Sequence, residues 1–143
     1  MKRSAALAAL SRDHHKALFV AQQLRRADAD TAADARSRFL TYWTEHGRTH
    51  FRREEEILLP GYAAHGDAYH PLVLRALGDH VAIRQRAGVV AADPSADPEL
   101  LHDLGERLSA HVRLEERELF PLIERDMPAD ELVALALALD DPA

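Results

Sequence analysis

His50-Phe51-Arg52-Arg53-Glu54 and His111-Val112-Arg113-Leu114-Glu115 each set an imidazole and a carboxylate four residues apart. On a helix such residues stand one above the other, with Cβ atoms about 5–6 Å apart, so each pair can reach one small volume. Aligned at an offset of 61, the segments starting at His50 and His111 share His, Arg, both Glu, Leu and Pro, six of eleven positions. Upstream of each lies an Asp-His pair, Asp13-His14 and Asp79-His80. The chain therefore reads as two helical hairpins, each offering one His and then a His-x-x-x-Glu. These polar residues fall on stripes that are otherwise apolar. Burying an unpaired carboxylate costs several kcal/mol, so a compensating cation is expected there. With nine His and no Cys, any metal must be held by imidazole and carboxylate. The missing thiols exclude disulfides, thiolate zinc sites, iron–sulfur clusters and thiol nucleophiles. Mixed nitrogen and oxygen ligation suits iron or manganese, and also zinc.

Four long helices and a short tail helix must carry these residues. Leu7, Leu10, Leu18, Ala21 and Leu24 recur at helical spacing, and Asp28-Ala29-Asp30-Thr31 ends that first segment. A second helix is predicted from about Ala32 to Leu59, with Phe39, Trp43, His46, His50, Glu54 and Ile57 on one stripe and Pro60-Gly61 as its stop. Pro71 opens a third, with Val73, Leu77, His80 and Ala87 on one face. Asp97-Pro98-Glu99 reads as cap, first-turn proline and first-turn acid of a fourth, whose face carries Leu101, Leu104, Leu108, His111, Glu115 and Leu122. After Pro121 a change of direction is expected, and Met127-Pro128 opens the tail helix. No stretch shows sustained period-two alternation. The expected fold is all-α: an antiparallel up-and-down four-helix bundle with a short C-terminal helix, the stripes turned inward.

The 143 residues correspond to one domain, expected to span 1–143. Alanine occurs 26 times against 14 for Val, Ile and Thr together, which favours helix over sheet. The net charge of −6 argues against nucleic acid or an anionic membrane as the main partner. Met1-Lys2-Arg3 followed by the short apolar run from Ala5 to Leu10 resembles a secretion signal, but Arg12, Asp13 and two His follow at once. The run from Leu132 to Leu139 is far too short for a bilayer. A cytoplasmic protein, monomeric or weakly dimeric, is the expectation.

His50-Phe51-x-x-Glu54-Glu55-x-x-Leu58-Leu59-Pro60 and His111-x-x-x-Glu115-Glu116-x-x-Leu119-Phe120-Pro121 are close to the H-F-x-x-E-E-x-x-L-F-P of the hemerythrin-like proteins, the HHE cation-binding domain. The resemblance runs from Leu10 to Pro121. It implies a bundle holding two iron ions, oxo- or hydroxo-bridged, that meet oxygen, hydrogen peroxide or nitric oxide. Manganese or zinc are the possible substitutes. Carried over by position, His50, Glu54, His80, His111 and Glu115 are ligands. On the first helix the resemblance fits His14 or His15. His14, four residues after Leu10 and nearer the apolar stripe, is preferred. One departure bears on function. The five-histidine hemerythrins place two His four apart on the third helix, whereas Ala76 and Arg84 flank His80 at that spacing. With four His and two bridging Glu, about two octahedral positions per metal stay open. That suits reaction with peroxide or oxygen better than protected carriage. Reversible oxygen or nitric oxide binding, iron storage, or sensing without turnover is the alternative.

His46, one turn before His50, is expected to face inward beside the ligands, and Arg84 is a second supporting candidate. Glu55 and Glu116 follow the ligand carboxylates on the outer side, exposed or bonded to a ligand. Trp43 and Phe51 read as core, and His102 as surface. His65 and His70 are placed in a loop without a role.

Overall fold

The computed structural model describes residues 3–140, and Met1-Lys2 of the leader-like opening lies outside them. Helix α1 (Ala5–Arg25) begins at Ser4, whose hydroxyl accepts from the Leu7 N–H. A continuous helical run, α2, covers residues 32–63. Helix α3 (Pro71–Ala92) starts with proline in its first turn, and the His70 ring nitrogen accepts from the Leu72 N–H. Helix α4 covers residues 98–126, with Asp97 accepting from the Glu99 N–H. The tail helix is α5 (Ala129–Leu139). The starts of α1, α3 and α4 thus supply an acceptor to a first-turn N–H, and α3 and α4 add a first-turn proline that lacks one. No strand occurs among the described residues.

The apolar residues form two clusters, and the polar residues singled out above lie between them. One cluster holds Leu24, Phe39, Trp43, Phe51, Ile83, Leu104 and Leu108. The other holds Leu7, Leu10, Leu58, Tyr62, Ala76, Leu119, Phe120 and Leu135. Along α1 the chain passes from the second cluster to the first, along α2 back again, and α3 and α4 repeat the alternation. This order is the signature of an up-down-up-down bundle. Where α1 crosses α4, Gly105 allows close approach: a Cβ there would lie 2.8 Å from the Ala21 carbonyl oxygen. Helix α5 closes the far end, with Leu135 and Leu139 buried in the second cluster and Val133 and Leu137 left outside.

Three single π-helical turns interrupt the long helices: Trp43–Gly47, Glu54–Leu58 and Glu115–Leu119. Their marks are N–H bonds reaching back five residues, from Arg48 to the Trp43 carbonyl, Leu59 to Glu54 and Phe120 to Glu115. Such turns are uncommon and concentrate at functional sites. The latter two match at the 61-residue offset, so the internal repeat extends to backbone irregularity.

These turns overturn three expectations. Pro60-Gly61 does not stop α2, which runs on to Ala63, and Pro121 does not redirect α4, which continues to Asp126. In both, the widened turn just before proline makes room for the ring that would strike a regular helix's preceding carbonyl. His46 does not face inward. It is exposed, with Lys16 Nζ 3.5 Å from its Nε2, because the Trp43–Gly47 turn breaks its four-residue alignment with His50. The first helix ends at Arg25, just past the last residue of its expected pattern, whereas Leu18 of the proposed stripe is 40% exposed.

Candidate metal centre

Six polar residues are buried at the middle of the bundle: His14, His50, Glu54, His80, His111 and Glu115, each at most 4% exposed. Helices α1 and α3 contribute one His each, while α2 and α4 contribute a His and a Glu. His15 is exposed, so of the two first-helix alternatives His14 is the one turned inward.

These residues form two groups, His14, His50, Glu54 and Glu115, and Glu54, His80, His111 and Glu115. Within each group the ligand atoms lie within 4.8 Å of one another, and both carboxylates belong to both groups. Nε2 of His14 lies 2.9 Å from Glu115 Oε1, and Nε2 of His80 lies 2.9 Å from Glu54 Oε1. Nε2 of His111 is 3.5 Å from Glu115 Oε1 and 3.9 Å from Glu54 Oε1. His50 Nε2 and Glu54 Oε2 are 3.0 Å apart but misaligned for a hydrogen bond. Both atoms, with His111 Nε2, are buried without a hydrogen-bond partner. Buried orphans of this kind are costly and rare unless an ion completes them. The donor set therefore fits a pair of cations.

Every outward Nδ1 meets another carboxylate. His14 faces Glu116 at 2.8 Å, His50 faces Asp13 at 3.1 Å, His80 faces Glu55 at 2.6 Å and His111 faces Asp79 at 3.1 Å. Such partners fix ring orientation and aim Nε2 inward. They link the helices in a closed circuit: α1 to α2 through Asp13, α2 to α3 through Glu55, α3 to α4 through Asp79 and α4 to α1 through Glu116. Arg84 forks onto Glu55 at 3.0 and 3.1 Å, and Ser11 donates to Glu116 at 2.7 Å. Phe51 stacks on His80 with centroids 3.9 Å apart, and Phe120 covers His14 at 5.5 Å.

The protonation of this cluster reflects its crowding. Burial opposes a charge on His50, yet the Glu54 carboxylate and the Asp13 hydrogen bond outweigh it and raise its pKa well above the usual value. Burial likewise opposes charge on His111, but Glu115, Asp79 and Glu54 push it up to about 10. His14 is raised against burial by Glu115 and Glu116. Burial opposes a charge on Glu54, but the adjoining His50, His111 and His80 rings outweigh it and lower its pKa well below the usual carboxylate range. Glu115 is raised, by burial first and by repulsion from Glu54 second. Without a metal, protons supply the positive charge that the two carboxylates require.

Asp13 and Asp79 are the functional residues that the sequence left unassigned. Each supports the His of the following helix, not its sequence neighbour. The signal was present as the repeated Asp-His pair, but helical spacing cannot show a bond between helices. His102 lies partly buried with Nε2 2.7 Å from the Ala27 carbonyl oxygen, and His65 is exposed.

Fold and site together define a helical bundle whose core gathers histidines and carboxylates in a set suited to cations. The family model described as hemerythrin HHE cation binding domain matches residues 5–123, and the chain belongs to that family. Comparison with curated proteins and with solved structures returned no match.

Proposed function

We propose that this protein holds two iron ions between the six buried residues and reacts there with hydrogen peroxide or oxygen. The observation that carries the reading is the sharing of Glu54 and Glu115 by two adjacent four-residue groups. Shared carboxylates suit a metal pair, whereas a mononuclear site needs only one group. His14 and His50 would hold one ion, His80 and His111 the other, and the two carboxylates would bridge them. Each ion then has four protein donors and about two octahedral positions for small molecules. Bound there, iron supplies electron-transfer chemistry toward peroxide or oxygen.

The chain's own residues do the rest. Asp13, Glu55, Asp79 and Glu116 orient the four rings and strengthen them as donors. Phe51 and Phe120 cover ring faces of His80 and His14 and keep water from that side. No helix among the described residues is long and apolar enough to cross a membrane.

Metal analysis of protein made in iron-rich medium, followed by peroxide addition, tests the reading. About two irons per chain with oxygen evolution from peroxide is the expected result, and His50→Ala should remove both. A stable, reversible oxygenated spectrum without turnover would replace the reading with carriage. Absence of bound metal would end it.

A further inference from the structure

A second feature sits beside the cluster, in a groove of about 520 Å³ between α1 and α2. Its volume falls in the range of small-molecule sites, roughly 300–1,000 Å³. Phe19, Val20 and Tyr42 contribute apolar surface to its lining, and Lys16, His15 and His46 contribute nitrogen groups. Lys16 has no carboxylate within ion-pair distance among the described residues; its ammonium approaches only the His46 ring, at 3.5 Å. The other charges at the groove are Arg38, held by Asp34 at 2.8 Å, and Glu45.

Glu45 and His46 reach the groove from the Trp43–Gly47 π turn, the one of the three without a counterpart in the other hairpin. At the 61-residue offset, Leu104–Leu108 is regular α-helix. The irregular turn is therefore no by-product of the repeated metal-centre scaffold. Its local effect is to turn His46 out toward Lys16 while Tyr42 and Trp43 remain buried. Gly47 lets it form, since a Cβ there would lie 2.5 Å from the Trp43 ring. Tyr42 joins groove and core: it lines the groove, and its phenol is close enough to Glu54, Asp13 and Glu115 to feel their charges.

We propose that this groove binds a small organic acid with an aryl or alkyl body, its carboxylate on Lys16 and His46 and its body over Phe19, Val20 and Tyr42. A ligand so placed lies against Tyr42, on the side away from the metal centre. The site does not depend on redox turnover at that centre.

The test is calorimetric titration of the full chain, both zinc-loaded and iron-loaded, with 3-phenylpropionate, alongside NMR of the His15 and His46 rings. Saturable binding that moves both ring signals is expected, in both metal forms. Lys16→Ala and the uncharged 3-phenylpropanamide should each weaken it at least tenfold, while Lys16→Arg should retain it. Lys16 is exposed, so these variants leave the core intact. Binding unaffected by Lys16→Ala, or seen in only one of the two metal forms, would place the acid on the metals and overturn the proposal. No saturable binding would also overturn it, as would dimerisation through Phe19 that closes the groove. Loss of peroxide turnover with binding intact would defeat only the reading of the metal centre.

Discussion

Asp13 on α1 meets His50 on α2, with Oδ2 and Nδ1 3.1 Å apart. Asp79 and His111 repeat the contact at the same distance on α3 and α4. The residue adjoining His14 in sequence thus orients a different histidine, and the same is true of the residue adjoining His80. The repeat therefore preserves paired supports as well as paired donors.

Replacing Asp13 or Asp79 by Asn keeps shape but removes the charge behind a ligand ring. Metal affinity is expected to fall about 10–100-fold in each variant. Competition with a calibrated chelator measures this, and unchanged affinity would show that the outer carboxylates are incidental.

The metal-free protein should lose stability as the solution becomes alkaline. His14, His50 and His111 have folded values raised above the ordinary histidine value near 6.5. Their contribution is fully present below that value and is lost as pH rises through the folded one, about 10 for His111. Denaturant unfolding between pH 6 and about 10 tests the slope. The loaded protein should lack this decline, because cations replace the protons, and loading near neutral pH should release protons into a weakly buffered solution.

Gly105→Ala should destabilise the bundle by about 1–3 kcal/mol, the usual range for overpacking. The added methyl would press on the Ala21 carbonyl and the Leu24 Cβ of α1, which are backbone or close to it and cannot swing away. Helix propensity alone predicts a gain of about 1 kcal/mol from the same change. Equilibrium unfolding decides between the two signs.

Leu135→Ala tests the lid formed by α5. The side chain is 6% exposed within the cluster that holds Leu58, Leu119 and Phe120. A loss of about 2–5 kcal/mol is expected, with the metal stoichiometry unchanged. A change near zero would detach α5 from the bundle's stability.

Much of this architecture could be read from spacing. The four-residue interval of His50 and Glu54, repeated at His111 and Glu115, reflects a local property of helices, and all four residues are buried together. His80 could be placed because it shares a face with Val73, Leu77 and Ala87, whereas the choice between His14 and His15 stayed open. Two kinds of information were not legible. A π turn arises where tertiary packing favours one wider turn, so Trp43–Gly47 reversed the expected direction of His46 without any local sign. The Pro60 and Pro121 expectations failed for the same reason, since the rule that proline ends a helix assumes a regular turn before it. Bonds between helices, such as Asp13 to His50 and Arg84 to Glu55, depend on rotation about each helix axis. Hydrophobic periodicity fixes that rotation only coarsely.

The closed circuit of carboxylate and imidazole contacts has a consequence for how such a molecule could arise. The Asp supports act inside a hairpin, while the Glu supports act on the neighbouring one. Half the chain, folded by itself, would leave its Glu reaching outward and its first histidine unsupported. Two identical halves related by a twofold rotation would answer each other at every contact. Fusion of a self-pairing ancestor is thus geometrically sufficient to generate the repeated core, with the symmetry later broken at the Trp43–Gly47 turn and by the tail helix α5.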